Sequence, residues 1–204
     1  MRRFYFENSY NDSETKYAAF HANMLTIVVG CNGYGKTSFL RGLERHLKRK
    51  HIEYISWSDS HDGRTDGMNQ FLWSGNMEGL ASMAFHSEGQ AMLASFGRKC
   101  IQMIGHKVRN HEGLKELFII IDQIDSGLDI HMINDIKNTF KNVIIEDMKK
   151  NGIDAYIVMS ANSYTLVKGE YCIDPVTRKP IIFNNYDDYA EYINSQYTEE
   201  DMED

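Results

Sequence analysis

The chain has 204 residues, of which 42% are hydrophobic and 25% charged, and its formal net charge is −7. This length holds one domain, or one domain with a small subdomain, around a core of ordinary size. The acidic balance excludes a uniformly basic nucleic-acid binder, and no apolar run is long enough to span a bilayer, so no membrane insertion is expected.

In chain order, Met1-Arg2-Arg3-Phe4-Tyr5-Phe6-Glu7 lacks the apolar stretch of a signal peptide and reads as a first strand over 2–6. A strand at 25–29 runs into Gly30-Cys31-Asn32-Gly33-Tyr34-Gly35-Lys36-Thr37, and Ser38-Phe39-Leu40 then begins a helix. That helix carries a basic run, 41–51, read as a solvated face, with a nucleic-acid contact as the alternative. A strand follows at 52–57. From 58 to 86 Gly, Ser, Asp and Asn cluster, with a helix-like stretch around 69–84, which predicts a small helical lobe at about 60–110. Leu117-Phe118-Ile119-Ile120-Ile121 is the next strand and ends in Asp122. Ile133, Ile136, Phe140, Val143 and Ile144 recur at three-to-four spacing, predicting one long helix over 130–150 closed by Gly152. A strand at 155–160 and a hairpin pairing 170–174 with 180–183 come next. The last helix, 186–195, places Tyr186, Tyr189, Tyr192 and Ile193 on one core stripe. The acidic tail, 198–204, is expected to be disordered. Cys31, Cys100 and Cys172 show no metal-ligand spacing and leave an odd thiol, which fits a reducing cytoplasm.

Apolar, β-branched runs alternating with helical periodicity give an α/β fold with a mostly parallel central sheet. In that frame 30–37 is G-x-x-x-x-G-K-T between a strand and a helix, the phosphate loop of a P-loop NTPase. Its glycines let the backbone wrap closely, its N–H groups face an anion, and the helix N-terminus adds a favourable dipole. Asn32, Gly33, Tyr34, Gly35, Lys36, Thr37 and Ser38 are therefore the candidate nucleotide-binding residues, with Lys36 reaching the β- and γ-phosphates and Thr37 a place on Mg²⁺. Asp122 ends a wholly apolar strand where open α/β sheets bind ligands, and is the second candidate for Mg²⁺. Ser87-Glu88-Gly89-Gln90, before Ala91-Met92-Leu93, has capping-box spacing and leaves a serine hydroxyl and a glycine N–H at a helix N-terminus, able to hold an anion.

With Ser126-Gly127-Leu128-Asp129 added, the chain resembles the ATP-binding-cassette ATPases over about residues 25–165. Four motifs stand in family order: the phosphate loop with its Asn32-Gly33 pair, the signature at 87–90, the strand ending in Asp122, and the S-x-L-D loop at 126–129. The resemblance leans towards the soluble DNA-repair and chromosome-maintenance branch, and the short stretch between Thr37 and Ser87 leaves no room for that branch's coiled-coil arms. It implies one ATPase domain over 1–197 that uses ATP and Mg²⁺ and closes as a homodimer around two nucleotides. Ser87, Gly89 and Gln90 of one copy would reach the γ-phosphate held by the other, and Asp129 would organise the seam. Gln70, with Asn69 as the alternative, is the candidate for the residue that, by the same resemblance, couples Mg²⁺ to the helical lobe. Two positions depart from the pattern. Gln123 stands where the family has the glutamate that polarises the attacking water, and an amide is a poor general base, so hydrolysis is expected to be slow. Asn162 takes the place of a histidine that contacts the γ-phosphate. The implied role is ATP hydrolysis in DNA repair, recombination or phage or host defence. An ATP-gated switch that recruits a protein partner and the nucleotide-binding subunit of a transporter remain as alternatives.

Overall fold

Runs that are apolar at every position become the middle of a sheet covered on both faces. The structure, a computed structural model, describes residues 1–6, 16–58, 102–110, 113–125 and 128–197. Among these the elements are β1 (Arg2–Phe6), β2 (Lys16–Phe20), β3 (Met24–Val29), α1 (Lys36–Arg49), β4 (Tyr54–Ser58), α2 (Gln102–Asn110), β5 (Glu116–Asp122) and α3 (Ile130–Thr139). A π turn (Phe140–Ile144) leads into α4 (Ile145–Lys150), followed by β6 (Asp154–Ala161), α5 (Tyr164–Val167), β7 (Tyr171–Ile173), β8 (Pro180–Ile181) and α6 (Tyr186–Asn194).

The main sheet has the order β4-β5-β6-β3-β7-β8, parallel throughout except for β8, which runs against β7. This is the expected α/β class. Leu25, Ile27, Ile119 and Ile157 face a layer that includes Ile133, Ile136, Phe140, Met148 and Tyr189. Val28, Phe118, Ile120 and Val158 point the other way, onto Phe39, Leu40, Leu43 and Leu47 of α1 and Phe4, Phe6 and Phe20 of the first two strands. A strand covered on both sides is apolar at nearly every residue, with Thr26 and Ser160 as buried exceptions, which is why β3, β5 and β6 read as near-continuous apolar runs.

Three expectations are corrected. The first strand does not join the parallel sheet; β1 pairs antiparallel with β2, a strand the sequence reading did not anticipate, in a separate ribbon. The ribbon turns Phe4 and Phe6 onto α1, with ring centroids 5.0 Å from His46 and 5.2 Å from Phe39 respectively. Buried Arg178, in the turn after β7, donates to the carbonyl oxygens of Phe6 and Lys16 and ties the ribbon to the main body. The second correction concerns Val143, expected on the buried stripe but 60% exposed. The π turn, in which the Ile145 N–H bonds to the Phe140 carbonyl, admits one extra residue and rotates the stripe onto Ile144, Ile145 and Met148. The hairpin and final helix form where expected, as β7, β8 and α6, but Tyr186, expected on the core stripe, is exposed in the first turn of α6, while Tyr189 is buried and Tyr192 and Ile193 are half-buried. Of the helical lobe expected at 60–110, only α2 lies within the described residues, and the tail at 198–204 lies outside them.

Candidate functional site

From Leu25 onward β3 is buried, and its carboxyl end delivers the chain into the loop before α1. Gly33 and Gly35 lie at φ +83° and +94°, where a side chain would be strained. Gly30 is constrained differently, since a Cβ there would stand 2.7 Å from Cδ1 of Tyr34. The Tyr34 ring thus folds back over the loop, and its N–H bonds to the Cys31 carbonyl at 3.3 Å. Burial, and then Asp174, raise the pKa of its hydroxyl. Asn32 and Gly33 face solvent, with Ser38 half-buried behind them.

Lys36 is only 6% exposed, and its Nζ donates to the carbonyls of Gly30 at 2.6 Å and Cys31 at 2.8 Å. Burial lowers its pKa, against the pull of Cys31, Asp125 and Asp122. Two carbonyl oxygens take two of its three protons but do not neutralise its charge, so anionic oxygens would be stronger partners.

Asp122 is buried where three elements meet. Its Oδ2 accepts from the Thr37 hydroxyl at 2.8 Å and its Oδ1 from the Ser160 hydroxyl at 2.6 Å, while the Gln123 N–H donates to Ser160 Oγ at 2.8 Å. Sheet order explains the convergence: β6 runs between β3 and β5, so Ser160 pairs with Val28 on one side and borders Asp122 on the other. A hydroxyl and a carboxylate side by side are hard oxygen donors and fit Mg²⁺, which when bound would neutralise phosphate charge. A cavity of about 160 Å³ lies beside them, lined by Thr37, Arg41, Glu44, Ser56, Ser58 and Asp122 among others.

Gln123 sits just beyond, half-buried, at φ +60°. Asn162 exposes its side chain; its N–H donates to Asp125 Oδ2 at 2.7 Å and its carbonyl accepts from the Tyr189 hydroxyl at 2.8 Å. Asp129 is exposed and caps α3, accepting from the Met132 N–H at 2.9 Å. Ser87, Gly89, Gln90, Gln70 and Asn69 lie outside the described residues. Sequence reasoning gave no role to Ser160 or Asp125. Asp125 is buried, its Oδ2 also accepts from the Ser163 N–H at 2.6 Å, its Oδ1 has no hydrogen-bond partner among the described residues, and burial raises its pKa. The available signal was a hydroxyl near the end of the apolar run at 155–161 and a second acid three residues after Asp122.

No family model and no curated protein sequence matches the chain. Its fold is similar to that of a solved nucleotide-free ATP-binding cassette from an ABC transporter, with a TM-score of 0.51 at 12% identity, over 98% of this chain and 96% of that one. Together with the sheet order and the loop at its centre, this gives the chain the fold of an ABC-type ATPase.

Proposed function

We propose that the chain is an ATPase of the ATP-binding-cassette type that binds Mg-ATP and closes as a homodimer around two nucleotides. The convergence of Lys36, Thr37, Asp122 and Ser160 at the carboxyl end of the sheet carries this reading. Loop N–H groups cradle the phosphates, and Lys36 exchanges its carbonyls for β- and γ-phosphate oxygens. Thr37 and Asp122 hold the metal, directly or through a water. Gln123 orients the attacking water through its amide but has no basic group to take the proton, so turnover is slow and the ATP state long-lived. Ser87 and Gly89 of the second copy complete the site, with Asp129 at the seam. The role that fits is DNA repair, recombination or defence in the cytoplasm.

Titration with fluorescently labelled ATP and Mg²⁺ tests binding: Lys36→Ala should abolish it, and unchanged binding would overturn the reading. Size-exclusion chromatography should show a dimer with Mg-ATP and a monomer with ADP; a monomer at saturating Mg-ATP removes the sandwich. Gln123→Glu should raise turnover. If it does not, the ATP-gated recruitment switch is favoured, a reading supported by the neutral, exposed Asn162. The transporter-subunit reading draws only on the cassette named above.

A nucleic-acid contact is proposed along α1. Arg41, Arg45, Lys48 and Arg49 are exposed there, and Arg49 and Lys50 share a groove of about 570 Å³ with Arg2, Arg3 and Tyr5. Charge reversal at Arg49 and Lys50 should abolish salt-dependent binding to a labelled oligonucleotide.

A further inference from the structure

We propose that the C-terminal helix is a working part of the nucleotide site, with Tyr189, Tyr192 and Gln196 as positioning residues for its two phosphate-facing segments. This rests on the proposed readings of 30–37 as a phosphate loop and of Asn162 as a contact to the terminal phosphate. Spacings of three and four put the three side chains on one face of α6 and the turn that follows it. Each reaches a different backbone group. Gln196 Oε1 accepts from the Cys31 N–H at 2.7 Å. The Tyr192 hydroxyl lies 3.2 Å from the Val29 carbonyl oxygen and 2.9 Å from Asp174 Oδ2. The Tyr189 hydroxyl donates to the Asn162 carbonyl at 2.8 Å.

These contacts hold the start of the loop, its second residue, and the turn after β6. Cys31 is the pivot: Gln196 fixes its N–H while Lys36 Nζ and the Tyr34 N–H take its carbonyl. Asp174 extends the hold to Tyr34, whose hydroxyl it perturbs. Apolar packing needs none of these polar bonds, because Phe183 and Ile193 already join Tyr189 and Tyr192 in the core cluster. A neutral amide also suits a place beside phosphates better than a carboxylate, which would repel them.

The test titrates labelled Mg-ATP and Mg-ADP into the full chain and its variants and records thermal unfolding without nucleotide. Gln196→Met should weaken Mg-ATP about tenfold, the loss expected from one hydrogen bond that preorganises a charged site. Its nucleotide-free melting temperature should stay within about 3 °C of the wild type. Gln196→Glu keeps an acceptor for Cys31 but adds charge, so its loss of affinity should shrink as salt is raised. Tyr189→Phe keeps the ring and should weaken ATP but not ADP, because the place proposed for Asn162 is beside the terminal phosphate alone. Equal affinities in all variants, or parallel losses for ATP and ADP that track a fallen melting temperature, overturn the proposal. If the wild type binds no nucleotide and Lys36→Ala changes nothing, the phosphate-loop reading fails first. If both controls behave as expected and the Gln196 and Tyr189 variants match the wild type, only this proposal fails.

Discussion

Ser160 shows how much one buried hydroxyl can organise. It is fully buried, donates to Asp122 and accepts from the Gln123 N–H. Ser160→Ala strands both partners, and urea unfolding should report a loss of about 1–3 kcal/mol, the cost of leaving buried polar groups unpaired. Mg-ATP affinity should fall with it, because Asp122 loses one of its two tethers. His46 gives a pH signature at the opposite end of α1. It packs 5.0 Å from the Phe4 ring, and burial, then Arg49 and Lys50, push its pKa below 6.5. The folded state therefore binds this proton less readily than the unfolded chain. The stability involved is present above 6.5 and is lost as pH falls from there through the lowered pKa. Thermal unfolding measured between about pH 7.5 and pH 5 should show a smaller loss in His46→Leu than in the wild type. Lys36, Thr37 and Asp122 were legible in the sequence because each belongs to a contiguous motif. Ser160 and Asp125 were not, because their partners lie 38 and 37 residues away.

At the scale of elements, the π turn explains why a simple helical period misplaced Val143. Five residues of wider helix shift the buried stripe by about one position, so Val143 faces water while Met148 is fully buried. Val143→Ser should change unfolding free energy by less than about 0.5 kcal/mol, as at other exposed positions. Met148→Ala should cost about 2–5 kcal/mol through lost burial and the cavity left behind. Equal costs at the two sites would mean a continuous α-helix. The β1–β2 ribbon shows the same limit in another form. Its alternation of buried Phe4 and Phe6 with exposed Tyr5 marks a strand, but period alone does not say which sheet that strand joins.

At the scale of the molecule, the glycine-rich loop before α1, Asp122 and Ser160 gather at one end of the sheet because parallel strands bring their carboxyl ends together. Asp129 caps α3 in an exposed position, where the proposed second copy would meet it. If ATP joins two such chains, Mg-ATP should raise the melting temperature, and the rise should grow with protein concentration as well as with nucleotide. Differential scanning fluorimetry at two protein concentrations about tenfold apart checks this, and a rise indifferent to protein concentration would indicate a monomeric complex.

The sequence by itself determined the glycine-rich loop between β3 and α1, the acid-ended strand and the alternation that makes a parallel α/β core. Each of these is local: fixed spacing within a few residues, or the period of one element. Only the tertiary structure decided that β1 leaves the main sheet, that Ser160 reaches Asp122, and that Gln196 and Tyr192 bond to Cys31 and Val29, 165 and 163 residues earlier in the chain. Hydrophobic period states that a face is buried but not what buries it. A hydrogen bond between distant segments exists only once strand order has set them side by side.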